Sequence, residues 1–225
     1  MGARTGHLRD SDGARIKRKR NADSESIEVD GDEFLISFER NDRVERFAFN
    51  EGELTAQSSE PEIDFMDADL LFNKGPEGLA LAPPASPIAG SLLVLPEIAI
   101  NAKDNTRIFL IKDRERKELA IQGVNGFGIT DAAFMQNGDL LVLERKYSIF
   151  FGLGIQLAKY NGETIAEGSV LVGELLLSVS GDHEIDNMEG ITVSPMPDGS
   201  TRITLISDNN FSDDQRTLLL EFRYQ

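Results

Sequence analysis

An acidic residue recurs four times in this chain at nearly constant spacing, each time just ahead of a short apolar-rich run. The segments are Ser24-Glu25-Ser26-Ile27-Glu28-Val29, Pro76-Glu77-Gly78-Leu79-Ala80-Leu81, Thr130-Asp131-Ala132-Ala133-Phe134-Met135 and Met188-Glu189-Gly190-Ile191-Thr192-Val193. The acids at 25, 77, 131 and 189 lie 52, 54 and 58 residues apart. A period close to the ~40–50 residues of a propeller blade fits one blade per repeat, and it is too long for ankyrin or leucine-rich units.

The residues between the acids agree with that unit. Second strands are expected at Phe34–Glu39, Leu92–Glu97, Leu140–Glu144 and Ile203–Asp208, after turn signals at Asp30-Gly31, Asn137-Gly138 and Asp198-Gly199. Third strands follow at Val44–Phe49, Thr106–Lys112, Ile155–Tyr160 and Thr217–Phe222, and fourth strands at Glu53–Ser58, Lys117–Gly123 and Leu171–Ser180. A helix is a fair alternative only over Leu171–Val179 and Asp64–Phe72. The expected fold is all-β: a β-propeller of four-stranded antiparallel blades, about four of them, with blade starts near 24, 76, 130 and 188. A β-sandwich would explain the strands and turns but not an acid returning once per repeat.

Residues 23–225 are expected to form the propeller, and residues 1–22 a basic hairpin or tail left from a preceding blade. The last repeat has room for three strands, so the ring is expected to be incomplete. Three arrangements would cover its open faces. The hairpin supplies the missing outer strand, two chains associate through the open faces, or upstream blades lie outside this chain; the last is favoured.

In each blade the start of the first strand and the end of the second meet at one rim. That pairs Glu25 with Glu39, Glu77 with Glu97, Asp131 with Glu144, and Glu189 with Asp208. First strands line the central channel of a propeller, so Glu25, Glu77, Asp131 and Glu189 are expected to ring its mouth. Converging carboxylates repel unless protons, basic side chains or a hard cation neutralise them. Oxygen-only donors favour Ca²⁺, with Mg²⁺ as the alternative. Equally, each acid can hold backbone N–H groups at a turn.

Around that ring the candidate ligand-binding residues are Glu39, Arg40, Glu144, Arg145, Asp208, Asn209 and Arg216. Arg40 and Arg145 can grip an anion in bidentate fashion or simply neutralise the rim. Asp208 and Asn209 open a polar loop that either binds a ligand or forms Asx turns. Glu189, Asp131, Arg145 and His183 are the candidate catalytic groups, His183 as a general acid or base or as an ordinary surface histidine.

Composition narrows the chemistry. The chain has no Cys and two His, which excludes thiolate metal sites and cysteine nucleophiles and disfavours imidazole-rich centres. Residues 1–21 carry a net charge of +5 and the remainder −21, within a total of −16. A body this acidic repels nucleic acid and anionic lipid, and the basic run Lys17–Arg20 is short and has no interleaved aromatics. No run of residues approaches the ~18–20 apolar positions of a membrane-spanning helix. Met1–Arg20 lacks the apolar stretch of a secretory signal.

The motifs Asn73-Lys74-Gly75-Pro76-Glu77-Gly78-Leu79-Ala80, Gly138-Asp139-Leu140-Leu141-Val142-Leu143-Glu144-Arg145, Asp186-Asn187-Met188-Glu189-Gly190-Ile191 and Ser207-Asp208-Asn209-Asn210-Phe211 together resemble the phytase-like family, also called esterase-like activity of phytase. The resemblance runs from about Asp23 to Phe222. It implies a β-propeller whose repeated Glu and Asp carry a phosphoesterase-like activity, in an exported, often periplasmic, protein. Ser24-Glu25-Ser26 departs from the family's Ala-Glu-Gly, and Glu97 follows Pro96 rather than preceding Arg.

The expected function is therefore a metal-dependent hydrolase of phosphate esters acting on a small anionic ligand at the acidic rim. A non-catalytic ligand- or protein-binding propeller is the alternative, and a lactone hydrolase of the gluconolactonase type a further one.

Overall fold

The computed structural model describes residues 6–225 apart from 51, 52, 60–62, 66, 72, 100, 102, 103, 124, 125, 151 and 182, and leaves aside the side chains of 49, 50 and 53–56. Runs rich in Val, Ile, Leu and Phe between Gly- and Asp-containing turns fold as the expected strands. Blade 1 contains β1 (Ser24–Asp30), β2 (Glu33–Phe38), β3 (Arg43–Asn50) and β4 (Glu53–Ser58), with the short β5 (Ile63–Asp64) also on β3. Asp30 pairs with Glu33 across a tight turn in which Gly31 takes φ +62°, a conformation open to glycine. Blade 2 is β6 (Pro76–Leu81), β7 (Leu92–Pro96), β8 (Thr106–Lys112) and β9 (Glu115–Ile121). Blade 3 is β10 (Gly128–Phe134), β11 (Leu140–Ser148), β12 (Gly152–Tyr160) and, after β13 (Val170–Leu171) has paired in parallel with β9 of blade 2, β14 (Glu174–Ser180). Blade 4 is β15 (Met188–Pro195), β16 (Thr201–Ser207) and β17 (Leu219–Tyr224), three strands among the described residues. Leu171–Val179, where a helix was an alternative, ends β13 at Leu171 and enters β14 at Glu174, with Val172 and Gly173 as the link.

The four sheets form a four-bladed propeller, and the core lies between the blades rather than inside any one of them. Leu35, Val44, Leu79, Val94 and Phe109 fill the space between blades 1 and 2. Because strand side chains alternate, β11 serves two interfaces. Leu140 and Val142 join Leu93, Leu95 and Ile108 on the blade 2 side, while Leu141 and Leu143 join Met188, Ile203 and Leu205 on the blade 4 side. The inner strands β1, β6, β10 and β15 pack in that order, and the return from β15 to β1 is the weakest of the four junctions. Ile27 and Val29 on β1 are exposed there.

The N-terminal segment turns back on blade 1. Leu8 packs against Ile36, Phe38 and Phe47, and Arg9 bridges to Arg15 and to Gln57 on β4, its carbonyl accepting from the Ser58 N–H at 2.9 Å. A single helical turn, α1 (Lys19–Ala22), then leads into β1. The hairpin's strand pairing is thus with blade 1, not with β17 of blade 4.

Candidate functional site

Each inner strand carries a one-residue bulge, in three blades at the expected acid and in blade 3 one residue before it. The pairing skips from Ser24 to Ile27 in β1, from Pro76 to Gly78 in β6, from Ile129 to Asp131 in β10 and from Met188 to Gly190 in β15. A bulge re-aims the residue it displaces, often toward a functional surface. In blades 1, 2 and 4 the displaced position holds Glu25, Glu77 and Glu189. In blade 3 it holds Thr130, whose Oγ1 donates to the Leu143 carbonyl at 3.4 Å.

The third repeat is therefore offset by one residue from the motif alignment, and Asp131 stands where the other inner strands have Ser26, Gly78 and Gly190. It points across the propeller axis. Asp131 Oδ1 accepts from Ser26 Oγ at 3.2 Å and Oδ2 from the Ile191 N–H at 2.9 Å, tying blades 1, 3 and 4 together. At the equivalent position of β6, a Cβ on Gly78 would lie 3.3 Å from the Asp131 and Ala132 backbone, so the glycine lets β6 and β10 approach closely here. Burial raises the Asp131 pKa to about 7 in spite of these bonds. Asp131, expected at the rim as a metal ligand and catalytic group, thus lies on the axis and is not among the residues that line the rim cavity.

The same offset moves the second acid of blade 3. Glu39 pairs by backbone with Asp23, Glu97 with Gly75 and Asp208 with Asn187, through N–H···O bonds of 2.8, 3.0 and 2.9 Å. In blade 3 the equivalent pair is Gly128 with Arg145, while Glu144 pairs with Ile129 one step further in. Glu144 consequently faces the interior between blades 2 and 3, with Oε2 unpartnered and its pKa pushed up to about 7 by burial alone. It does not line the rim.

What remains at the rim is a cavity of about 590 Å³. Glu25, Glu77 and Glu189 enter it from the bulges, and Glu39, Glu97 and Asp208 from the ends of β2, β7 and β16. Asp23 adds a seventh carboxyl group, against four cations: Lys19, Arg40, Lys74 and Arg145. Those cations are already engaged. Arg40 Nε lies 2.7 Å from Asp23 Oδ2, Lys74 Nζ 2.5 Å from Glu97 Oε1, and Arg145 3.3 Å from Glu189 Oε1 with a further hydrogen bond to Asn187 Oδ1.

The unbalanced acids hold their protons unusually well. Burial and the neighbouring Glu25, Glu97 and Glu189 charges raise Glu77 to about 9. Glu25, at the open mouth, is raised to about 7 by desolvation inside the cavity and then by Glu39 and Asp23. Glu39 is raised by burial and Asp23, and Glu189 by burial, which the Arg145 charge partly offsets. Among the described residues, ligand oxygens of Asp23, Glu25 and Glu39 all lie within 4.8 Å of one another, a spacing that suits one cation. That trio shares only Glu25 with the expected ring of Glu25, Glu77, Asp131 and Glu189.

The other candidates lie elsewhere. His183 is exposed, its Nδ1 3.0 Å from the Ser180 carbonyl, and it does not line the cavity. Arg216 pairs with Glu184 at 2.9 Å and with Asp186, and Asn209 Oδ1 caps the Phe211 N–H at 3.2 Å, so neither reaches the cavity. Asp208 and Asn210 do line it, joined by the Asn210 N–H to Asp208 Oδ1 bond at 3.0 Å.

Comparison with known families decides the kinship. The description "Phytase-like: Esterase-like activity of phytase" matches residues 2–211, nearly the whole chain. The chain belongs to the phytase-like family. No curated protein matches it. Among solved structures, the N-terminal domain of Nup159 aligns at 11% identity over 89% of this chain and 61% of that one, with a TM-score of 0.36. An endo-arabinase from Bacteroides thetaiotaomicron aligns at 11% identity over 97% of this chain and 98% of the other, also with a TM-score of 0.36.

In this phytase-like propeller, Lys19, Asp23, Asn73 and Lys74 line the cavity from outside the expected set. Asp23 carried a usable signal. It stands two residues before Glu25, as Asn187 does before Glu189, and both positions sit at the entry of an inner strand. Lys74 precedes its blade's acid by three residues, and only the folded rim brings it against Glu97.

Proposed function

We propose that the rim cavity binds a hard divalent cation, Ca²⁺ or Mg²⁺, and with it a phosphate ester that the protein hydrolyses. The close trio of Asp23, Glu25 and Glu39, set in a cavity with more carboxyl groups than cations, is the observation that carries this reading. The donors are all oxygens, which suits a hard cation rather than a softer metal. Such a cation supplies Lewis-acid polarisation of a phosphoryl oxygen and offsets the negative field that would otherwise exclude an anionic substrate.

The chain's own residues divide the remaining work. Glu77, its pKa raised to about 9 by burial first and then by the Glu25, Glu97 and Glu189 charges, is the candidate proton donor for a leaving oxygen. Arg145 holds Glu189 at the opposite wall and is placed to share its guanidinium with an incoming phosphate. Asn73 and Asn210 offer uncharged hydrogen-bonding groups on either side.

The test is a substrate panel of p-nitrophenyl phosphate, a phosphodiester and phytate, assayed with Ca²⁺, with Mg²⁺ and with chelator. Hydrolysis that needs the cation and falls by about 10²-fold or more in Glu77→Gln is the expected result. A second reading, a non-catalytic binding propeller, is favoured by one observation: among the described residues that line the cavity there is no histidine to serve as a base. Cation binding without turnover of any ester in the panel would select it. Export to the periplasm is part of the proposal by family kinship.

A further inference from the structure

The loops joining second to third strands leave the propeller at the acidic rim, and in blades 3 and 4 they end in bare apolar side chains. The β11–β12 hairpin is the longer of the two. β10 accompanies β11 only as far as Arg145, and β14 accompanies β12 only from Gly154. Residues 146–148 and 152–153 therefore continue as an isolated two-stranded arm, about 10 Å past the sheet at ~3.3 Å per residue. Its tip carries Tyr147 at 71%, Ile149 at 85% and Phe150 at 87% exposure. In blade 4, next to it, Phe211 is fully exposed one residue beyond the cavity-lining Asn210.

We propose that this arm, with Phe211, docks the protein on a lipid surface, so that the acidic cavity faces the membrane. Tyr147, Ile149 and Phe150 are grouped on one tip rather than scattered singly over the surface, the arrangement that marks an interaction site. A few separated tips cannot bury the ~800 Å² per partner of a standard protein interface, whereas inserting such tips is how aromatic and aliphatic side chains hold a peripheral protein at a bilayer. The composition fits that interface. Tyr147 brings a ring with a polar end suited to the headgroup layer. Because the whole chain carries −16, the surface it prefers is zwitterionic rather than anionic. This docking is independent of whether the cavity is catalytic.

Sedimentation of the full chain with phosphatidylcholine vesicles, with and without added phosphatidylglycerol, tests it. Wild-type protein is expected to pellet with phosphatidylcholine, to lose little binding in high salt, and to bind less well as phosphatidylglycerol is added. The Ile149→Ser, Phe150→Ser double variant is expected to bind about tenfold or more weakly, with an unchanged melting temperature, since both side chains are outside every packed interface. Phe211→Ser alone should give a smaller loss. Wild-type protein that stays in the supernatant, or a double variant that pellets equally, overturns the proposal. So does self-association of the wild type that the double variant abolishes, because the tips would then be seated in a second copy of the chain.

Discussion

Glu77 shows how far the rim is from electrostatic balance. Its pKa is near 4.5 when exposed and about 9 in the folded protein, so the native state holds a proton that the unfolded chain has released across that interval. Linkage then favours folding most fully below pH ~4.5, and that contribution is lost as pH rises through about 9. Glu25, raised to about 7, acts in the same direction over a narrower window. In chelator, the melting temperature is expected to fall between pH 5 and 9, and Glu77→Gln to flatten the fall and melt a few degrees higher than wild type at pH 9. A variant that melts lower at pH 9 would contradict this. Asp131 is a different case, since its two oxygens serve Ser26 and Ile191. Asp131→Ala leaves both donors unsatisfied at ~1–3 kcal/mol each, or several degrees in a thermal melt. Because burial raises Asp131 to about 7 from an ordinary 3.8, the native proton's contribution is lost as pH rises through about 7, and the variant is expected to lose more relative to wild type at pH 5 than at pH 9.

At the scale of strands and blades, much of the architecture was open to reading because each blade repeats the same problem: a turn, a buried pair of strands and an acid at the rim. Apolar runs such as Leu140–Leu143 and Leu92–Leu95 are strands by composition, and the 52–58-residue period set their number and order. The rim acids Glu25, Glu77, Glu189, Glu39 and Asp208 were legible for the same reason. Asp131 and Glu144 were not, because a bulge consumes one residue and Thr130-Asp131 satisfies an acid-plus-apolar pattern in either register. Shifting a strand position by one residue turns its side chain to the other face, which sends Asp131 to the axis and Glu144 between the blades. His183, Asn209 and Arg216 are near the rim in sequence, but turn hydrogen bonds and ion pairs with Glu184 and Asp186 hold them away from the cavity. The bulge geometry makes its own prediction. A Cβ on Gly190 would lie 2.8 Å from Ile206 Cγ2, so Gly190→Ala is expected to cost about 1–3 kcal/mol, measurable by denaturant unfolding, although the substitution adds a single methyl group.

The whole molecule is unevenly secured. β11 is covered on both faces, with Leu140, Val142, Leu141 and Leu143 fully buried, whereas β17 has mostly exposed or half-exposed side chains and the junction of β15 with β1 is thin. Local opening follows burial, so amides of β17 are expected to exchange with solvent well before those of β11, as hydrogen exchange will show. The cavity spans this same seam, because Glu25 comes from blade 1 and Glu189 from blade 4. A cation held by Asp23, Glu25 and Glu39 removes repulsion in the native state alone, so at ~100 times its dissociation constant it adds about 2.7 kcal/mol of stability. Calorimetric titration of Ca²⁺ into chelator-stripped protein tests this most directly, comparing wild type with Glu25→Gln at the rim and Glu144→Gln between the blades. One site per chain, lost in Glu25→Gln and kept in Glu144→Gln, is the predicted result; no binding to the wild type, or equal binding to all three proteins, would contradict it.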